Sequence, residues 1–156
     1  GEAADVVRDM PGPEAETLLD AMEPEAAETV RALLTHPEET AGGLMTTNYL
    51  VADRGWTALR ALQEVRRRAA EAEVISYLYV LSAEGVLVGV VSLKQLFQTP
   101  PRVPIGRVMT SKLVTVRPGT PRRDVERLFA KYGFRNVPVV YGDGRMQGVV
   151  RFRWML

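Results

Sequence analysis

Three arginines, Arg123, Arg151 and Arg153, stand in the second part of a chain whose first 43 residues are strongly acidic. Arginine carries a fixed charge on a planar fork of donors that fits a carboxylate. Residues 1–43 hold eleven Asp or Glu against two Arg, a net −9, while residues 44–156 hold eight acids against eighteen bases, a net +10. The overall charge of +1 hides this division, which predicts that the two parts attract each other or a charged partner. The chemistry on offer is noncovalent. His36 is the single histidine, without a Ser or Cys partner pattern, and one histidine cannot build a zinc site. The absence of Cys removes disulfides, thiolate metal sites and thiol nucleophiles, and it fits the cytosol. Gly42-Gly43 alone does not make a phosphate loop. Arg66-Arg67-Arg68 and Arg122-Arg123 are basic runs on expected helices, but the acidic front end opposes nucleic acid and few aromatics could stack bases. With no nucleophilic or acid–base constellation, the chain reads as non-catalytic.

The elements that position these groups come as an internal repeat. One copy opens Leu44-Met45-Thr46, passes Asp53-Arg54-Gly55-Trp56-Thr57 and closes Val80-Leu81-Ser82-Ala83-Glu84-Gly85-Val86-Leu87-Val88-Gly89-Val90-Val91. The other opens Val108-Met109-Thr110, passes Arg117-Pro118-Gly119-Thr120-Pro121 and closes Val139-Val140-Tyr141-Gly142-Asp143-Gly144-Arg145-Met146-Gln147-Gly148-Val149-Val150. Each copy predicts a short strand (49–51; 113–116), then a helix (56–70; 120–132) and two strands joined at Glu84-Gly85 or Asp143-Gly144, dipeptides that favour hairpin turns. Leu59, Leu62 and Val65 define the apolar face of the first helix, and Val125, Leu128 and Phe129 that of the second. Thr120 is the expected cap of the second helix, with Pro121 at its first position. Trp56 and Trp154 are read as packing residues at helix starts. Gly89 and Gly148 serve tight strand-to-helix geometry. The first copy ends in a helix from Ser92 to Phe97, and the second breaks off where that helix should begin. A repeat that cannot bury its apolar face alone packs on its twin, so a pseudo-twofold pair with a ligand-sized cleft along its seam is expected.

At 156 residues and 46% hydrophobic, the chain can bury a core. It has no apolar run of about 18 residues that would cross a bilayer and no signal-peptide pattern. It opens on Gly rather than Met, which points to processing or an excised segment. Residues 1–35 read as short helices, with Ala15, Leu18, Leu19 and Met22 on one face, like the tail of a helical array. His36-Pro37 ends them and residues 38–43 form a hinge. The expected fold class is α+β, a tandem β-α-β-β-α pair after a short all-helical segment. Its parts are residues 1–43, a first repeat at 44–98, a linker at 99–104 and a second repeat at 105–156.

A β-α-β-β-α unit that opens with a Met-Thr turn and ends Gly-hydrophobic-hydrophobic-Ser/Thr resembles the cystathionine β-synthase (CBS) domain. The stretch Glu38-Glu39-Thr40-Ala41-Gly42-Gly43-Leu44-Met45-Thr46, with Ser76-Tyr77-Leu78-Tyr79-Val80, is similar to the junction and first repeat of the MgtE family of magnesium transporters. In that family a helical N domain precedes a CBS pair and a membrane pore follows. The resemblance implies a regulatory role in magnesium ion transport: Mg²⁺ bridges acids of the two cytosolic parts and closes the pore. It also implies a head-to-head homodimer through CBS pairs and a place in the cytoplasm, or at the cytosolic face of the membrane within a full-length transporter.

The resemblance assigns Mg²⁺ contacts to Glu38 and Glu39 and to the backbone carbonyls of Gly43 and Ala130. Further ligand positions fall on Pro121, Arg123, Gly133 and Trp154, which offer no side-chain oxygen to a hard cation. Arg123, Arg151 and Arg153 therefore suggest direct docking on the acidic helices in place of the ion. The family's adenine-nucleotide motif, Gly-h-x-Ser/Thr-x-x-Asp, becomes Gly89-Val90-Val91-Ser92-Leu93-Lys94-Gln95 and Gly148-Val149-Val150-Arg151-Phe152-Arg153-Trp154. The first keeps the hydroxyl and loses the Asp; the second has neither. Ser92, Lys94 and Arg135 are the expected phosphate contacts if the pair senses nucleotides. A ligand-free interaction module is the remaining alternative.

Overall fold

A computed structural model describes residues 39–152. The expected helices of residues 1–35, together with Glu38, Arg153 and Trp154, lie outside the described residues. A helical turn, α1 (Ala41–Leu44), leads into β1 (Tyr49–Ala52), α2 (Ala58–Arg68), β2 (Val74–Leu81), β3 (Leu87–Ser92) and α3 (Leu93–Gln98). A 3₁₀ turn at Ile105–Arg107 follows, then α4 (Arg122–Tyr132), β4 (Asn136–Val140) and β5 (Met146–Arg151). Strands β1, β2 and β3 form one sheet, with β1 parallel to β2 and β3 antiparallel to it; β4 and β5 form a second, antiparallel sheet.

The two copies agree in local detail. Val80 pairs with Gly89 and Val139 with Gly148, and each hairpin shifts register at the next residue. Gly85 (φ 83°) and Gly144 (φ 89°) take the left-handed backbone at the hairpin tips, which explains the glycine in each turn dipeptide. The tips also meet: Leu87 N–H donates to Gly144 O and Met146 N–H to Gly85 O, both at 3.0 Å.

The opening segment of each copy crosses to its twin. Thr46 bridges Val149 and Thr110 bridges Val90. Thr40 bridges Pro121 and Pro104 bridges Thr57. The first amide of α4, Arg122 N–H, donates to Glu39 O, and the first amide of α2, Ala58 N–H, donates to Val103 O. Donors that a helix start leaves without intrahelical acceptors are thus met by the other copy's chain. The cores follow the same exchange. Leu50, Ala61, Leu78, Val91 and Leu96 of the first copy enclose Ile105, while Val125, Phe129, Val137 and Val150 of the second enclose Ala41 and Met45. Between the sheets, Val74 and Tyr79 pack on Met146 and Val149.

Several expectations change. Residues 113–116 do not form a strand; only Val116 pairs, with Val139, at the place where Ala52 pairs with Val80 in the first copy. Helices α2 and α4 begin two residues later than expected. Thr57 caps α2, its hydroxyl accepting from Arg60 N–H at 3.2 Å. Thr120 caps nothing: its Oγ accepts from Arg117 N–H in the preceding loop, Pro121 holds the cap position, and Glu39 O serves instead. Leu59 leaves the apolar face of α2 and is half exposed, while Ala58 and Ala61 take the buried positions. The hinge glycines belong to α1, where Gly42 is buried and its amide donates to Pro118 O at 2.8 Å. Ser92 and Gln95 form a capping box on α3, which begins at Leu93 rather than Ser92.

Candidate functional site

Two clefts lie along the seam, and Gly133, Phe134, Arg135 and Asn136 border both. The loop after α4 creates that shared wall. Gly133 ends the helix with φ 66°, a conformation glycine adopts without a Cβ clash, and its amide returns to Phe129 O at 2.9 Å. The chain then turns into β4 with Arg135 exposed.

The first cleft, about 370 Å³, is lined from both copies: Tyr77, Tyr79, Ser92 and Gln95 on one side, Thr110, Lys112, Phe134 and Arg135 on the other. Among the described residues, its charged groups are Lys112 and Arg135, and no Asp or Glu lines it. Ser92 Oγ accepts from Gln95 N–H at 3.0 Å and keeps a proton to donate. Gln95 Oε1 accepts from Ser92 N–H at 2.8 Å, and its Nε2 donates to Val108 O at 3.2 Å. Burial pushes the Tyr79 phenol well above its ordinary range, so it stays a neutral donor. The arrangement suits an anion with an apolar or planar body.

The second cleft, about 650 Å³, includes Glu73, Ser76, Phe129, Arg151 and Phe152. Arg151 occupies the β5 position that matches Ser92 on β3. Its Nη2 donates to Glu73 Oε2 at 2.8 Å, and the guanidinium side chain is only 11% exposed. This ion pair joins the end of β5 to the loop before β2. Arg151 in the second cleft is therefore matched by a carboxylate, whereas Arg135, which borders both clefts, and Lys112 in the first have no ion pair among the described residues.

The expected site residues fall in different places. Ser92 and Arg135 meet in the first cleft. Lys94 is exposed on α3 and does not line it; Lys112 takes that place, brought there by the crossing of residues 104–110. Arg123 is exposed in the first turn of α4, beside the segment that carries Glu39. Glu39 is exposed, Gly43 sits in α1 and Ala130 is exposed toward the other end of α4. Among the described residues, no group of three or more His, Cys, Asp and Glu is placed to hold a metal ion. The described residues thus do not provide a carboxylate cage for Mg²⁺. Among the same residues, no helix is long and apolar enough to cross a membrane.

The comparisons agree with this architecture. The CBS domain model matches residues 41–100 and 105–153. The magnesium transporter MgtE of Thermus thermophilus is 41% identical over 133 residues, 85% of this chain and 30% of that protein. The crystal structure of the cytosolic domain of the Mg²⁺ channel MgtE in complex with ATP is 37% identical, with a TM-score of 0.86, over 97% of this chain and 61% of that one. The soluble part of a magnesium transporter superposes with a TM-score of 0.89 at 28% identity, over 97% of this chain and 59% of that one. The chain spans about 30% of the length of the curated relatives it matches. With matches over both copies and reciprocal packing between them, the chain belongs to the CBS-domain family as a tandem pair similar to the cytosolic part of MgtE.

Proposed function

We propose that this chain is the cytosolic regulatory region of an MgtE-like magnesium transporter, and that its CBS pair senses an adenine nucleotide. The observation that carries the reading is the first cleft, where Ser92, Thr110, Lys112 and Arg135 converge from both copies with no opposing acid among the described residues. Two cations and two hydroxyls match a polyphosphate, and Phe134 with Tyr77 supplies surface for a base. The likeness to an MgtE cytosolic domain crystallised with ATP supports the same ligand class. The module regulates rather than catalyses, and the membrane pore belongs to the rest of a full-length protein. Its location is the cytoplasm, at the membrane face when joined to that pore. Two chains pair through their CBS units. Titration of ATP followed by calorimetry tests the ligand: saturable binding that weakens on Arg135→Ala and Lys112→Ala is expected, and no binding would overturn it.

A second reading concerns coupling to the acidic segment. The charge division of −9 against +10 and the exposure of Arg123 at the start of α4 favour docking of residues 1–43 by arginine, with Arg123 and Arg153 as contacts and Arg151, of the three expected arginines, engaged by Glu73. The ion-bridged version instead uses Glu38, Glu39 and the carbonyls of Gly43 and Ala130. Solution scattering separates them. Arginine docking loosens as NaCl rises and responds little to Mg²⁺, whereas a large Mg²⁺-driven compaction would establish the ion bridge.

A further inference from the structure

We propose that the first cleft reads the phosphates and base of a nucleotide but not its sugar, so that ribose and 2′-deoxyribose forms bind alike. The inference rests on the nucleotide reading above and adds its specificity. A ribose diol presents two hydroxyl donors, and proteins commonly meet them with an acidic side chain, because a hydrogen bond to an ionised acceptor is about twice as strong as a neutral one. Among the described residues, none of the fourteen that line this cleft is Asp or Glu.

Gln95, in the first turn of α3, lines the cleft but is held in place by one bond at each end, and what it has left is neutral. Its carbonyl oxygen takes the Ser92 amide at 2.8 Å, completing the capping box. Its amide nitrogen donates to Val108 O at 3.2 Å, tying α3 to the segment that crosses from the other copy. Turning this side chain toward a sugar would break the cap and that tie together. Asn136 and the tyrosines offer only neutral partners. By contrast, the phosphate side is well supplied by Lys112, Arg135 and the two hydroxyls of Ser92 and Thr110. Binding energy is therefore concentrated on the anionic end.

The test is calorimetric titration of the 156-residue chain with ATP and with dATP at one ionic strength. The two dissociation constants should agree within about threefold, the scale of one neutral hydrogen bond or less. Gln95→Asp should create a preference for ATP over dATP of about tenfold or more, since a site built to bond a hydroxyl rejects the analogue lacking it. Gln95→Ala, checked for folding by circular dichroism, should leave the ratio unchanged. A wild-type preference for ATP of tenfold or more would overturn the inference while leaving the nucleotide reading intact. Failure of both nucleotides to bind would overturn the two together.

Discussion

The thioether of Met45 lies against Gly148: a Cβ placed on Gly148 would stand 2.6 Å from Met45 Sδ and 2.8 Å from the carbonyl oxygen of Thr46. The same contact recurs between Met109 and Gly89, where a Cβ would meet Met109 Cγ at 2.8 Å. Both glycines thus admit the Met-Thr segment of the opposite copy onto a strand. Gly148→Ala should destabilise the chain by about 1–3 kcal/mol, the usual cost of overpacking. Gly89→Ala should cost less, since the atoms it meets belong to a methionine side chain rather than to backbone. Gly119→Ala, with nothing within 4 Å of the added carbon, is the control and should stay within about 0.5 kcal/mol. Urea unfolding monitored by circular dichroism measures all three.

The Arg151–Glu73 pair predicts a coupling between distant parts of the chain. Glu73 is about half exposed, which screens the attraction, but the guanidinium it meets is nearly buried. Glu73→Gln should lower stability by about 0.5–1.5 kcal/mol, the net worth of an ordinary hydrogen bond, because the exposed carboxylate is screened by water. A double-mutant cycle with Arg151→Met should return an interaction of about 0.5 kcal/mol or more. Additive losses would place the cost in packing instead.

Gly133 should be sensitive to backbone conformation rather than to space. Its φ is 66°, and a Cβ there would meet nothing within 4 Å. Gly133→Ala should cost about 1 kcal/mol, and Gly133→Asn less, because asparagine tolerates the left-handed region. Equal losses for both would argue against a purely conformational cause. Thermal melting distinguishes the outcomes.

Alkaline pH should unfold the seam. Burial pushes the Tyr49 hydroxyl up to about 12, and Tyr79, edge-to-face with it at 5.6 Å, is raised further by burial. The folded state then holds protons that the unfolded chain releases near pH 10, so this stability is complete below about pH 10 and lost as pH rises toward 12. For Tyr49 the loss should reach roughly 3 kcal/mol, about 1.4 for each of the two pH units between the values. Urea midpoints that fall between pH 10 and 12, alongside a rise in tyrosinate absorbance, are expected. Tyr49→Phe should flatten the fall.

The amino-acid sequence by itself determined the repeat, its hairpin turns and most helix positions, because these depend on neighbours a few residues apart. Glu84-Gly85 and Asp143-Gly144 specify hairpins locally, since each places a glycine where the turn needs the left-handed backbone. The signals that misled were also local: Thr120 resembles a cap and Leu59 suits an apolar face, but Glu39 O and two alanines took those roles. Residues 113–116 read as a strand because their neighbours suit one, yet only Val116 reaches a partner. Tertiary structure alone decided that each Met-Thr segment crosses to the other copy, that Lys112 rather than Lys94 lines the first cleft, and that Arg151 meets Glu73 across 78 positions. Each of these outcomes depends on which surfaces lie together after the copies have packed, and burial and charge pairing at such distances leave no periodic trace along the chain.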